Sequence, residues 1–255
     1  MGRKEGLPTR LRSEPLVDIL FEARFESTSP AAAVLPGRLD VLLKDEAIVW
    51  KKLPASDMPE AIRLQEPNLR YTPLIQGVMG GFLISLSDQS IIISCSLPYL
   101  GWTKFRNTIL KVCKALENVS FIKSYSRCSL RYIDLIPHPN DLNQASLIDI
   151  SLKLGSTELI DQMFQVRLES RKDEIINIIQ LNSSTHVVLN QTQEERRGLL
   201  VDVDTIYTHP DEQPSAFIEK LEERLNLLHH QNKETFFSCL TKETLKNLEP
   251  EYDNQ

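Results

Sequence analysis

Apolar and polar residues alternate along positions 14–27, which read EPLVDILFEARFES. The apolar positions are Val17, Ile19, Phe21, Ala23 and Phe25, and the charged positions between them are Asp18, Glu22, Arg24 and Glu26. Because a period of two places successive side chains on opposite faces of a sheet, this stretch predicts a half-buried strand. Only Leu20 interrupts the polar set. We expect the rest of the chain to continue the same sheet.

Helices are predicted at three places. Residues 27–30, STSP, supply an N-cap and a first-turn proline for a helix that runs to about residue 44, which the Pro36-Gly37 pair should kink or split. Apolar residues recur at three- and four-residue spacing over residues 102–116 and over residues 216–231, and the pattern continues toward a terminal helix. This spacing gives each helix one apolar face, so the helices should lie across the sheet.

Strand-like segments make up much of the remaining sequence. Residues 82–86 and 90–97 flank a polar turn and predict a hairpin, whereas the proline-rich residues 51–73 predict short edge strands with irregular connections. Further strands are predicted at residues 126–136, 147–154, 161–169, 174–182, 186–189 and 198–207. Serial strands without intervening helices imply antiparallel pairing. The predicted fold class is therefore α+β, with a mostly antiparallel sheet, or sheets, and amphipathic helices packed on one face.

Strands followed by one long amphipathic helix occur twice along the chain, which suggests two similar halves without a residue-level repeat. The predicted division is a flexible basic arm at residues 1–13, an N-terminal α+β half at residues 14–122 and a C-terminal α+β half at residues 123–255. At 255 residues the chain lies near the upper limit for one hydrophobic core. We therefore expect the two halves to pack as one compact unit.

Composition narrows the classes of partner and the compartment. The 29 basic and 35 acidic residues give a net charge of −6, which opposes nucleic acid as a partner. The cysteines occur singly, without zinc or disulfide spacing, and predict buried reduced thiols: Cys95, Cys113, Cys128 and Cys239. No apolar run resembles a signal peptide or reaches the ~20 residues that span a bilayer. We expect a cytoplasmic protein without membrane insertion.

Sequence motifs for common cofactors and hydrolases do not occur. The GVMGG segment at residues 77–81 matches neither glycine-rich phosphate-binding pattern, and it is more typical of a bend at the entry to a strand. The nucleophile-elbow pattern GxSxG and the zinc-helix pattern HExxH are both missing from the sequence. We therefore predict no cofactor and assign no catalytic residue on motif grounds.

One pair of carboxylates could hold a metal ion. Asp202 and Asp204 lie two residues apart in LLVDVDTIY, so both side chains share one face of a predicted strand. Carboxylate pairs of this kind can bind a divalent cation. The solvent-facing part of a twisted strand is the more common position of such a pair. If the chain binds metal, these two residues are the predicted ligands.

A second group of residues is the place to look for catalysis. Arg131, Asp134 and His138 follow one another near the end of a predicted strand. A histidine beside carboxylates can act as a general base near neutral pH. Surface imidazoles without function are more common, and His209, His229 and the neighbouring His230 are interpreted in that way. If the chain is an enzyme, we expect its reaction at Arg131, Asp134 and His138.

Several segments together resemble one protein family. LPTRLRSEPLVDILFEARFES is similar to the start of a sporadically distributed family of uncharacterised bacterial proteins of about 250 residues, whose members begin with an LPxxPIVExxFExRF-type motif. GWTKF, LRYIDLI, LLVDVDTIY and LHHQNKETFFSCLT extend the resemblance along nearly the whole chain. Asp134 and Leu135 stand where relatives usually carry Asn and Arg, which argues against a shared active site there. The resemblance implies no reaction or cofactor, but an accessory bacterial protein that contacts other proteins.

The sequence thus favours a non-catalytic protein-interaction component, a sensor, adaptor or regulator, of a bacterial defence or toxin-control system. It would act as a homo-oligomer or in a stable protein complex, because unpaired strand edges favour association. One alternative is a SecB-like holding chaperone, and another is a metal-dependent nuclease or other hydrolase. Nucleic-acid binding through the basic arm with Arg127 and Arg131 is a weaker possibility.

Overall fold

The structure is a computed structural model, and it describes residues 6–66, 69–151, 153–158, 161–189 and 193–252. In chain order the strands are β1 (Arg10–Leu11), β2 (Leu16–Ser27), β3 (Val49–Lys52), β4 (Ile75–Met79), β5 (Phe82–Leu86), β6 (Ser90–Cys95), β7 (Ile122–Pro137), β8 (Lys153–Leu154), β9 (Thr157–Glu158), β10 (Gln165–Lys172), β11 (Ile175–Val188), β12 (Glu195–Glu212) and β13 (Pro250–Glu251). The α-helices are α1 (Ala31–Leu42), α2 (Glu60–Gln65), α3 (Trp102–Ala115), α4 (Pro214–Cys239) and α5 (Lys242–Asn247).

A nine-stranded sheet forms the centre of the molecule. Its strand order is β10-β11-β12-β7-β2-β6-β5-β4-β3, and every neighbouring pair in it is antiparallel. Helices α1, α3 and α4 contribute buried side chains to the core that also contains the apolar face of β2, so they cover the same side of the sheet. The predicted α+β class, with a mostly antiparallel sheet and helices on one face, is confirmed.

The two halves of the chain follow the same path. In the first half β2 is followed by the run β3 to β6, which returns so that β6 pairs with β2, and α3 comes next. In the second half β7 is followed by β10, β11 and β12, which return so that β12 pairs with β7, and α4 comes next. The first strands of the two halves, β2 and β7, pair with each other at the centre. One sheet therefore runs through both halves.

Strand β2 has the alternation that the sequence predicts over most of its length. Ile19, Phe21, Ala23 and Phe25 are buried, with exposures of 1% or less. The pattern fails at the start of the strand, where a register irregularity between Leu16 and Asp18 shifts the phase by one residue. Leu16 therefore points into the core and Val17 is only half-buried. A β-bulge of this kind is not visible in the hydrophobic pattern, because it depends on the pairing with β7.

Helix α1 starts by a different mechanism from the one predicted. The side chains of residues 27–30 make no capping hydrogen bond. Instead the first amides of the helix donate to the turn between β5 and β6, with Ala31 N bonded to Asp88 O at 3.0 Å and Ala32 N to Ser87 O at 2.9 Å. The helix continues through Pro36 without being split. Tertiary contacts thus satisfy the orphan donors that a side-chain cap would otherwise satisfy.

Three predicted strands in the second half are wrong in extent. Of the predicted strand at residues 147–154, only Lys153–Leu154 forms a strand among the described residues, and it pairs with β9 outside the main sheet. Gln144–Leu147 is a short 3₁₀ turn, and Ile148 makes a single bridge with Leu240. The apolar side chain of Ile148 packs against the end of α4 instead of a neighbouring strand. Residues 174–182 and 186–189 belong to one strand, β11, with an irregular register between Asn182 and Thr185.

The described part of the predicted basic arm is bound to the C-terminal segment. Arg10–Leu11 pairs with Pro250–Glu251, and Arg12 Nε lies 2.6 Å from Glu251 Oε1. Residues 1–5 of the predicted arm lie outside the described residues. All four cysteines are free, and burial raises the pKa of Cys128 to about 12. Within the ranges that the structure describes, no helix has the length and apolarity that a membrane span needs.

Candidate functional site

The open face of the sheet carries the predicted metal ligands. Asp202 and Asp204 both lie on this face, as their spacing predicts. The Asp202 carboxylate is held by Arg131, with Nε 2.7 Å from Oδ1, and Gln180 Nε2 donates to Oδ2 at 3.2 Å. Asp202 is only 4% exposed. A second ion-pair group on this face joins Glu22 to Arg127 on β7 and to Arg24, two residues further along β2, each at 2.8 Å.

These contacts occupy Asp202 and both arginines, whereas Asp204 Oδ1 is buried without a hydrogen-bond partner among the described residues. Both oxygens of Asp202 already accept hydrogen bonds, and no group of three or more His, Cys, Asp or Glu side chains in the described part of the chain could hold a metal ion. Arg127 and Arg131, the residues considered for nucleic-acid binding, are paired with carboxylates. Burial raises the pKa of Asp204. The arrangement is typical of a polar network that stabilises an open sheet face.

We expect divalent metal to leave the thermal stability of the protein unchanged. A cation at Asp202 would have to displace the Arg131 guanidinium, which is a bidentate, charge-assisted partner. The measurement is the melting temperature with millimolar Mg²⁺ or Mn²⁺ against the melting temperature with a chelator. A metal-dependent rise that Asp202→Asn abolishes would contradict this account and would favour a metal-dependent enzyme.

The three residues proposed for catalysis lie in three separate environments. Arg131 is on the open face with Asp202, whereas Asp134, three positions further along β7, points to the helix-covered side. His138 lies in the turn beyond β7, where its Nδ1 is 2.7 Å from the carbonyl oxygen of Asn140. An odd spacing along a strand places side chains on opposite faces, so Arg131 and Asp134 cannot converge on one substrate atom. The structure does not bring this triad together.

A cavity of about 480 Å³ lies between α4, the first residues of β2 and the segment before α3. It falls within the ~300–1,000 Å³ that small-molecule sites occupy. Its aromatic lining consists of Tyr99, Trp102, Tyr132, Phe236 and Phe237. Arg10, Glu14 and Lys233 also line it, and the first two of these are exposed. The cavity therefore combines an apolar interior with a charged rim.

Asp134 is the acidic group in the interior of this cavity. Its side chain is 6% exposed and, among the described residues, no group donates a hydrogen bond to its carboxyl oxygens. Burial, with smaller contributions from the charges of Glu14 and Asp202, raises the pKa of Asp134 to about 8. A carboxyl group in this position is neutral at neutral pH, and an unpaired buried polar group is uncommon enough to indicate a ligand site.

His229 lines the cavity together with two aromatic residues. Its ring stacks on Trp102 with centroids 4.0 Å apart and planes 9° apart, and a hydrogen bond of 2.9 Å joins its Nδ1 to the Tyr132 hydroxyl. Burial, and then the charges of Lys233 and His230, lower the pKa of His229 to about 3. The imidazole is therefore neutral and fixed in orientation.

Asn232 holds α4 against the sheet directly behind the cavity. Its side-chain nitrogen donates to Val203 O at 2.8 Å, and it lies 3.2 Å from both Leu130 O and Thr205 Oγ1. These acceptors lie on the adjacent strands β7 and β12. The contact fixes the position of His229 one turn earlier on the same helix, so the cavity wall is rigidly placed.

One outer edge of the nine-stranded sheet is strand β10. It pairs only with β11, so the backbone groups on its other side have no strand partner among the described elements. Val166 packs against the second core cluster, but the rest of both faces is exposed: Leu168 is 53% exposed on one face, and the Arg167 and Glu169 side chains are 52% and 50% exposed on the other. The opposite sheet edge, β3, has four residues and includes Lys51 and Lys52. Edge β10 is thus the longer of the two.

The sequence analysis did not predict the cavity. It assigned His229 to a surface role and gave no role to Tyr99 or Asn232, because their neighbours are distant in the chain. The available signal was Asp134 between apolar neighbours in the segment YIDLI, which was interpreted as a strand-end carboxylate. Comparison of the sequence with protein-family models gave no match, and comparison with curated proteins gave none either.

Proposed function

We propose that the protein is a non-catalytic protein-interaction component, a sensor, adaptor or regulator that acts as a homo-oligomer. The observation that carries the proposal is the free, uncovered edge of strand β10 (Gln165–Lys172). An exposed strand edge offers a row of backbone donors and acceptors to a further strand. The family resemblance supports a role in a bacterial defence or toxin-control system, and the free cysteines support a cytoplasmic location.

The sequence of β10 matches an antiparallel copy of itself. When Leu168 lies opposite Leu168 of a second copy, Arg167 lies opposite Glu169 and Glu169 opposite Arg167. Residues directly opposite in an antiparallel pair have Cβ atoms about 4.5–5.5 Å apart, so both ion pairs can form. The central leucine pair removes an exposed apolar side chain from water in each copy. In this register Arg171 faces Gln165, so no like charges oppose each other.

Neighbouring registers are less favourable. The outward-directed residues of two edges must meet, so the register can change only in steps of two. A shift in one direction places Arg167 opposite Arg167, and a shift in the other places Glu169 opposite Glu169. Like charges directly opposite are destabilising. Charge on an edge strand usually deters pairing, but the charges of β10 select one self-pairing register.

We expect the wild-type protein to be a dimer and charge reversal on β10 to dissociate it. Arg167→Glu places two like-charged pairs in the interface, and Glu169→Arg does the same with the opposite sign. The loss of two attractive pairs at ~0.2–1 kcal/mol each should weaken the dimer about two- to thirtyfold, and the like-charge contacts should weaken it further. The measurement is the molar mass by size-exclusion chromatography with light scattering over a concentration series.

The double variant Arg167→Glu/Glu169→Arg is the matched control. It restores opposite charges at both positions, so it should recover the dimer that each single variant loses. The residues are exposed and their own ion pair of 3.1 Å is at the surface, so none of the variants should alter the melting temperature of the monomer fold. A wild-type monomer at all concentrations, or a dimer that neither single variant weakens, would reject the proposal.

A further inference from the structure

We propose that the cavity between α4 and the central strands binds a small organic amine, with the Asp134 carboxylate accepting hydrogen bonds from the protonated amino group. The site is distant in the sequence from β10 and does not depend on dimer formation. It is lined by parts of both halves of the chain, because Tyr99 and Trp102 come from the first half and Tyr132 and Phe236 from the second. A ligand here would contact both halves at once.

The position of Asp134 is the first argument. It is nine-tenths buried, it lines the cavity, and no donor in the described part of the chain reaches its carboxyl oxygens. Without a ligand, the site holds the neutral acid, because an ionised carboxylate at this depth is strongly unfavourable without a partner. A ligand that binds the ionised form must therefore donate hydrogen bonds and carry positive charge. A primary ammonium group meets both requirements with three donors.

The aromatic lining is the second argument. Tyr99, Phe236 and Phe237 provide apolar and π surface beside the carboxyl group. Aromatic faces attract cations and also pack against apolar bodies, so they suit an amine attached to a hydrocarbon or aromatic group. The volume of about 480 Å³ is large enough for a ligand of this size.

The titratable groups around the site determine how the affinity for the amine depends on pH. The titratable groups that line the cavity are Arg10, Glu14, Tyr99, Tyr132, Asp134, His229 and Lys233. His229 is neutral and does not compete as a cation, because its pKa is lowered to about 3. Asp134 must lose its proton to the solvent when the ammonium group binds. Affinity should therefore rise from about pH 6 to about pH 8, and binding at neutral pH should release a proton.

Three indole compounds test the proposal, because they share one apolar body and differ in charge. Tryptamine is a cation, tryptophol is neutral and indole-3-propionate is an anion. The measurement is isothermal titration calorimetry of the whole chain, in two buffers of different ionisation enthalpy. We expect tryptamine to bind at least about tenfold more tightly than tryptophol, with proton release, and indole-3-propionate to bind most weakly.

The Asp134→Asn variant should reduce tryptamine binding to the level of tryptophol, because the amide keeps the shape of the side chain but not its charge. Glu243→Gln, which removes an exposed carboxylate on α5, should leave binding unchanged. Arg167→Glu should also leave it unchanged, which separates this site from the proposed dimer edge. Equal binding of all three compounds, no binding of any, or full tryptamine affinity in Asp134→Asn would overturn the proposal.

Discussion

Replacing Asp134 with asparagine should stabilise the fold by on the order of 5 kcal/mol above about pH 8 and by very little below about pH 4. The folded-state pKa of Asp134 is raised from 3.8 to about 8, mainly by burial. A raised pKa means that the folded state prefers the protonated form. The wild-type protein therefore has its full stability from this group below pH 3.8 and loses it as the pH rises through about 8. Asparagine has no proton to lose, so the variant avoids the loss.

The measurement is the free energy of unfolding by urea for both proteins at several pH values. The informative quantity is the difference between wild type and variant, because the other titrating groups affect both proteins equally. That difference should grow between about pH 4 and about pH 8 and then level off. The Glu243→Gln variant, with its exposed carboxylate, should give a small difference without this pH dependence. A constant difference for Asp134→Asn across the range would contradict the assigned environment.

The second large effect on stability is expected from breaking the buried ion pair of Arg63 and Asp88. Arg63 Nε lies 2.8 Å from Asp88 Oδ2 and its Nη2 lies 3.2 Å from Oδ1, and the aspartate is 1% exposed. Arg63→Met keeps the apolar stem but leaves a buried carboxylate without its cation. Breaking such a pair from one side costs ~3–5 kcal/mol. We expect the free energy of unfolding to fall by about this amount.

The double variant Arg63→Met/Asp88→Asn distinguishes the unpaired charge from lost packing. With both charges removed, the loss of stability should be well below that of Arg63→Met alone, since no uncompensated charge remains. The Asp88 carbonyl that bonds the first amide of α1 belongs to the backbone and stays in place. If the double variant is as unstable as the single one, packing and not charge accounts for the effect.

The sequence predicts an element correctly where the local spacing of apolar and polar residues is enough to define it. Strand β2 follows its alternation from Ile19 to Phe25, and α3 begins at Trp102 as the apolar spacing predicts. The shared face of Asp202 and Asp204 also follows from spacing alone. These features depend on the period of the backbone, which is a local property.

Features that depend on distant contacts could not be predicted. The bond from Asn232 to Val203, the stacking of Trp102 on His229 and the pair of Arg63 with Asp88 each join residues far apart in sequence. Whether a strand is an edge also depends on the order of all strands, so the sequence could place β10 only approximately, at residues 161–169. The alternating charges of β10 affect association only because the strand lies at the edge of the sheet.

The family resemblance and the role in defence or toxin control rest on the sequence segments alone. The two proposals, association through the edge of β10 and ligand binding in the cavity at Asp134, concern separate parts of the molecule. They are far enough apart in the chain to be altered separately. A sensor in the sense proposed here would use both.

Disulfide crosslinking at Leu168 tests the central claim, self-pairing of β10, most directly. In a Cys239→Ser background the remaining native cysteines are buried, so a new cysteine is the accessible thiol among the described residues. In the proposed register Leu168→Cys faces its own copy, whereas Arg171→Cys faces Gln165 and lies far from its copy. The account predicts that mild oxidation converts Leu168→Cys, but not Arg171→Cys, to a covalent dimer on a non-reducing gel. No dimer from Leu168→Cys, or equal crosslinking of both variants, would contradict it.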